Sequence, residues 1–136
     1  MMNFNFKYEL EECRKIWFKE GVLLKSSGAK CFWPFPSLNT TEKFKLELLC
    51  LTYVAFKDSC YDKNLFRLWP LAEWRIDKAC SFIYFSDHGI GVVFFKIDMR
   101  EASLGLIYGE VEGLVDEIYA QSLGEFFWKL NNNSLI

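Results

Sequence analysis

Histidine and cysteine are the side chains from which this chain could build nucleophilic or metal chemistry. His88 is its one histidine, and the thiols are Cys13, Cys31, Cys50, Cys60 and Cys80. A Cys/His pair needs the two groups in contact beside an oxyanion hole. Cys80 starts the predicted strand that His88 leaves, which puts them more than about 20 Å apart along an extended chain. Cys13, Cys31 and Cys50 remain open as partners for His88. Structural zinc requires closely paired ligands, and cysteine spacings of 18, 19, 10 and 20 contain no such pair. The plainer reading makes His88 a turn residue and the thiols small core hydrophobes. Phosphate chemistry fares no better. Gly89-x-Gly91 precedes a strand, so no helix N-terminus would face an anion, and neither a P-loop nor a nucleophile elbow occurs. No enzyme reading leads; a small cysteine hydrolase stands third among the alternatives. No catalytic residue, metal ligand or cofactor is predicted.

The elements that must position these residues fit in one domain of 136 residues, long enough to bury a real core. Hydrophobic residues form 51% and charged ones 25%, a globular composition that argues against disorder. The longest apolar stretches fall far short of the roughly 20 residues of a membrane span, and Glu9 interrupts the N-terminus before a signal-peptide core forms. An odd cysteine count without a C-x-x-C pair fits reduced thiols, so a cytoplasmic protein is expected. A net charge of −2 argues against direct nucleic-acid binding.

Charge is unevenly spread. Residues 1–68 carry 11 Lys and Arg against 8 Asp and Glu, whereas residues 69–136 carry 5 against 10. Between Asp98 and Phe126, seven carboxylates (Asp98, Glu101, Glu110, Glu112, Asp116, Glu117 and Glu125) face Arg100 alone. A surface of one sign steers oppositely charged partners. The alternative is that these groups only solubilise strand ends and turns.

Periodicity supplies the elements. Phe6, Leu10, Cys13 and Trp17 recur at helical spacing up to Gly21. Cys31-Phe32-Trp33-Pro34-Phe35-Pro36 is an extended aromatic segment, read as a lid or as a partner anchor. Residues 39–57 alternate locally but read as a helix by length, with Asn39 and Glu42 at its start. Strands follow at Leu65–Trp69, Ser81–Phe85, Ile90–Met99, Leu104–Tyr108 and Glu117–Ala120, with Asp87-His88-Gly89 as a tight turn. In Ile90–Met99, Val93, Phe95, Ile97 and Met99 share one face while Lys96 and Asp98 emerge on the other. Close spacing favours antiparallel neighbours. Ser122-Leu123-Gly124-Glu125 is a capping box opening a last helix. The fold class is therefore α+β: an antiparallel sheet packed by helices.

Asn64-Leu65-Phe66-Arg67-Leu68-Trp69-Pro70-Leu71-Ala72-Glu73-Trp74 resembles the "strand, Leu-Trp/Tyr-x-Leu-x-Glu" element of the SUKH superfamily. The run Phe85 to Asp98 is similar to that family's "Phe-Gly-x-x-Gly-Gly-Gly-x-x-x-x-Phe-Asp" hairpin, with Ser86 and His88 where glycines are common. Leu106-Ile107-Tyr108 is similar to its following strand, and Ser122 to Phe127 to its closing "Ser-Phe-x-x-Phe-Leu" helix. The succession covers about Asn64 to Leu130; residues 1–63 lack the family's "Leu-Pro" helix start and "Asn-Gly-Gly" turn.

The resemblance implies a single SUKH-like domain over residues 1–136, with a twisted antiparallel sheet. It implies a non-enzymatic immunity protein that neutralises a cognate polymorphic or contact-dependent toxin by direct binding in the cytoplasm, with no cofactor and no membrane. A nuclease or deaminase toxin would offer a basic surface to the acidic segment. The expected contacts are Asp87, His88, Asp98, Glu101, Glu110 and Glu112, with Trp33 and Phe35 as anchors. The alternative is a scaffolding or regulatory module like the family's regulator of cell-wall glucan synthesis, with a non-toxin partner.

Overall fold

Phe126 stands at the centre of the core because a capped helix delivers it there. In the computed structural model, Ser122 Oγ accepts from Glu125 N at 3.1 Å and the Glu125 carboxylate accepts from Gln121 N at 2.8 Å. This cap starts α3 (Leu123–Asn131), whose buried residues include Leu123, Phe126 and Phe127. The Phe126 ring meets Phe85 and Phe95 at 5.3 Å each and Phe66 at 6.1 Å. Edge-on aromatic pairs add about 0.5–1.5 kcal/mol beyond their buried area.

The structure describes residues 4–19, 24–25, 40–50, 55–56, 61, 65–69, 73–79 and 81–132. In chain order these form α1 (Phe6–Lys19), β1 (Leu24–Lys25), α2 (Glu42–Cys50), β2 (Ala55–Phe56), β3 (Phe66–Leu68) and β4 (Arg75–Ile76). After them come β5 (Phe82–His88), β6 (Val93–Asp98), a 3-10 turn (Glu101–Ser103), β7 (Ile107–Glu110), β8 (Glu117–Ala120) and α3. The fold is α+β. Six strands make one antiparallel sheet in the order β3-β5-β6-β7-β8, with β4 beside β3 on the same side of β5, and β1 pairs β2 separately.

One face of the sheet carries Phe66, Leu68, Ile83, Phe85, Phe95, Ile97 and Ile107, all buried under the helices. Of the predicted α1 stripe, Leu10 and Cys13 are buried and Phe6 is half-buried. Asn131 Nδ2 donates to Glu9 O at 2.8 Å and ties α3 to α1. Tyr119 closes the core at the β7–β8 edge, its ring 5.2 Å from Phe95 and lying over Gly109. A Cβ on Gly109 would come within 2.4 Å of that ring.

Four expectations are corrected. Among the described residues of the helix predicted over 39–57, α2 covers Glu42–Cys50 and starts at Thr41 Oγ1, which accepts from Phe44 N at 3.2 Å. Ala55–Phe56 is already a strand. β5 runs through His88, so Asp87 and His88 lie in a strand and the turn is 89–92. β6 begins at Val93, and the strand expected at Leu104–Tyr108 is Ile107–Glu110, because Leu104 and Gly105 form a turn in which Gly105 N donates to Asp98 O at 2.8 Å.

Candidate functional site

A single bulge decides which way Asp87 points. Tyr84 opposes Lys96, but the next registered pair is Ser86 with Phe95, leaving Phe85 as the extra residue in β5. An extra residue inverts the alternation beyond it. Strict alternation from Ile83 and Phe85 would send residue 87 into the core. Instead Ser86 and His88 oppose the core residues Phe95 and Val93, and Asp87 opposes Phe94 and Arg67 on the far face.

That far face carries charge and rings. Arg67, Asp87, Phe94 and Glu110 are matched across four neighbouring strands, followed one row below by Arg75, Tyr84, Lys96 and Tyr108. A pocket of about 360 Å³ opens there, lined by Tyr61, Arg67, Trp69, Glu73, Arg75, Asp87, Ile90, Gly91 and Phe94. Its floor is Asp87, buried at 2% exposure. Asp87 accepts from Trp69 Nε1 at 2.6 Å, Tyr61 Oη at 2.8 Å and Gly91 N at 2.8 Å. The Tyr61 hydroxyl is raised above its ordinary range, by burial first and then by this bond to Asp87. Arg67, also buried, is paired with Glu73.

Arg75 behaves differently. It is exposed, and its guanidinium lies over the rings of Tyr84, Phe94 and Trp69 at 4.6, 5.1 and 5.5 Å. Among the described residues it has no ion-pair partner. Lys96, by contrast, is held twice: its Nζ donates to Glu110 Oε1 at 2.9 Å and pairs with Asp116 Oδ2 at 2.8 Å, above the Phe82 ring at 4.5 Å. Burial by itself lowers the Lys96 ammonium, but the bonds to Asp116 and Glu110 outweigh it and leave the group raised. Burial likewise works against ionised Glu110, yet hydrogen bonds from Lys96 and Tyr84 hold it below the usual carboxylate range.

The end of the sheet next to the pocket is apolar and strained. The registers place Leu65, the 89–92 turn and the loop 111–116 at one end. Gly89, Ile90 and Gly91 all have positive φ, and so does Leu65, whose carbonyl accepts from Gly89 N at 2.9 Å. Glycine takes that conformation freely, but Leu and β-branched Ile do not. Both strained side chains are exposed, Ile90 at 64%, as are Val92, Leu114 and, at 89%, Val115.

The residues predicted as contacts separate on this frame. Glu101 and Glu112 are exposed, and His88 is half-buried at the end of β5. Glu110 is half-buried and engaged by Lys96 and Tyr84. Asp87 and Asp98 are corrected: both are buried with their oxygens occupied, and neither reaches the surface. Asp98, at 0% exposure, accepts from Arg100 Nη2 and Ser103 Oγ at 2.7 Å each. Burial opposes its charge, but Arg100 and Ser103 hold its carboxyl below the ordinary range. Lys96, expected to emerge from β6, is buried. Trp33 and Phe35 lie outside the described residues, as do Cys31, Cys60 and Cys80. Cys13 is buried in α1, and the described residues contain no group of three His, Cys, Asp or Glu able to hold a metal. No described helix is long and apolar enough to cross a membrane.

The chain matches no family model, no curated protein and no solved structure.

Sequence reasoning missed Arg75, because the two-residue β4 is too short to leave a periodic signal, and missed Tyr84 and Phe94, because only strand pairing brings them to Arg75 and Asp87.

Proposed function

We propose that this chain is a non-enzymatic protein-binding domain whose contact surface is the turn end of the sheet. The observation carrying this reading is the clustering there of Leu65, Ile90, Val92, Leu114 and Val115, all exposed. Scattered exposed apolar residues are ordinary, but a cluster at one end marks an interaction surface. Backbone strain at Leu65 and Ile90 supports it, since strain kept at an exposed apolar residue belongs with a functional site. From β3 to β8 this end spans about 19 Å, four strand spacings, enough for a modest interface.

Charge narrows the partner. Glu112 and Glu117 flank the apolar loop and are exposed, and neither has an ion pair among the described residues. They favour a basic partner and accelerate its approach. Together with the SUKH resemblance, this supports reading the chain as an immunity protein that occludes a basic toxin, such as a nuclease or deaminase, in the producing cell's cytoplasm. The test is co-expression with the toxin encoded in the neighbouring reading frame. Wild-type chain rescues growth and co-purifies with the toxin, whereas a folded Val115→Asp, Leu114→Asp variant does neither. Rescue undiminished in that variant would move the contact surface elsewhere. Recovery of wall-synthesis or signalling proteins with no toxin would favour the scaffolding alternative.

A further inference from the structure

The pocket beside the turn end holds two cations and two carboxylates, and three of these four groups are committed. Asp87 accepts three hydrogen bonds, and Arg67 and Glu73 hold each other. The remaining group is Arg75. Its flat face is spent on rings, a contact that leaves the N–H edge of a guanidinium available. Glu110 is close enough for Arg75 to help lower its carboxyl, but the two form no ion pair, and Glu110 Oε1 accepts from Tyr84 Oη and Lys96 Nζ. A guanidinium oriented by aromatic packing, with no ion pair among the described residues and lining a pocket, is a pre-set receptor for a planar anion.

We propose that this pocket binds a single carboxylate carried by a peptide, with Arg75 as its fork. Charge selects against phosphate: one uncommitted guanidinium faces a pocket that already contains Glu73 and Asp87, so a dianion is repelled where a monoanion is held. Size selects for a side chain or chain end, since about 360 Å³ lies at the small end of ligand sites. Ile90 belongs both to the pocket wall and to the exposed apolar end, so a protein seated on that end can place an acidic residue on Arg75. That source rests on the protein-binding reading; the carboxylate preference does not.

The experiment titrates acetyl-Ala-Glu-Ala-amide into the isotope-labelled full chain and follows the Tyr84, Phe94 and Arg75 signals by NMR. The comparison ligands are acetyl-Ala-Gln-Ala-amide, acetyl-Ala-Gln-Ala with a free C-terminal carboxylate, and inorganic phosphate. Saturable binding of either carboxylate peptide, at least fivefold tighter than the neutral one, is expected, and which of the two binds better identifies the source. Arg75→Gln removes the preference, and Arg75→Lys keeps part of it. Equal binding of the neutral peptide, tighter binding of phosphate, or a preference surviving Arg75→Gln would overturn the proposal. The first two comparisons use wild-type chain and need no variant to fold. No protein partner is present, so failure here leaves the turn-end reading intact; conversely, Val115→Asp, Leu114→Asp should lose toxin rescue and keep peptide binding.

Discussion

The indole N–H of Trp69 donates to the Asp87 carboxylate at 2.6 Å, joining the residue after β3 to the strand beside it. Asp87 also accepts from Gly91 N, and so fixes both the pocket floor and the turn carrying Ile90. Asp87→Ala leaves a buried indole N–H and a turn N–H without acceptors, at about 1–3 kcal/mol each. A loss of about 3 kcal/mol is expected, and about half of that for Asp87→Asn, which keeps one acceptor. Urea unfolding followed by tryptophan fluorescence measures both, and equal losses would show that acceptor count is irrelevant.

Ile90 is a left-handed β-branched residue, a conformation costing roughly 1–2 kcal/mol. Glycine relieves that cost and returns about 0.5–1 kcal/mol as entropy of the unfolded chain. Ile90→Gly should therefore raise the melting temperature by about 3 °C while weakening partner binding. Calorimetry and a binding assay on the same preparation check both signs.

Asp98 and Glu110 are held below the usual carboxylate range by Arg100 and Ser103 and by Lys96 and Tyr84, against the opposing effect of burial. Their unfolded pKa values, about 4, are the higher ones, so acidification protonates the unfolded chain first. The stabilisation is complete above about pH 5 and lost as pH falls through the folded values. Denaturation midpoints should hold steady from pH 7 to 6 and decline below about pH 5. The decline should be shallower in Asp98→Asn, Glu110→Gln.

Glu112 and Glu117 are exposed at the turn end. Reversing both to lysine should slow association with a basic partner about tenfold at low salt, with rates converging at high salt and dissociation little changed. Stopped-flow kinetics across ionic strengths decide this.

Gly109→Ala would drive a methyl into the Tyr119 ring. A loss of about 2 kcal/mol is expected from overpacking, relieved in the Gly109→Ala, Tyr119→Ala pair. A thermal-unfolding cycle over the four proteins measures the coupling.

The α+β class, α1, the cap of α3 and the core face Val93, Phe95, Ile97 and Met99 were legible in the sequence, because period and capping are local signals. The acidic cluster was legible too, but its accessibility was not. Lys96 takes up Glu110 on the neighbouring strand and Asp116 in the loop after it, while Arg100 folds back onto Asp98 two residues before it. Asp87 shows the same divide. Sequence placed it in a turn; the bulge at Phe85 turned it to the far face, beneath Trp69 and beside Arg67. A bulge follows from how two strands satisfy their hydrogen bonds together, so one strand's residues do not encode it. Local order was written in the chain, whereas the direction each charged side chain faces was decided by its neighbours in the sheet.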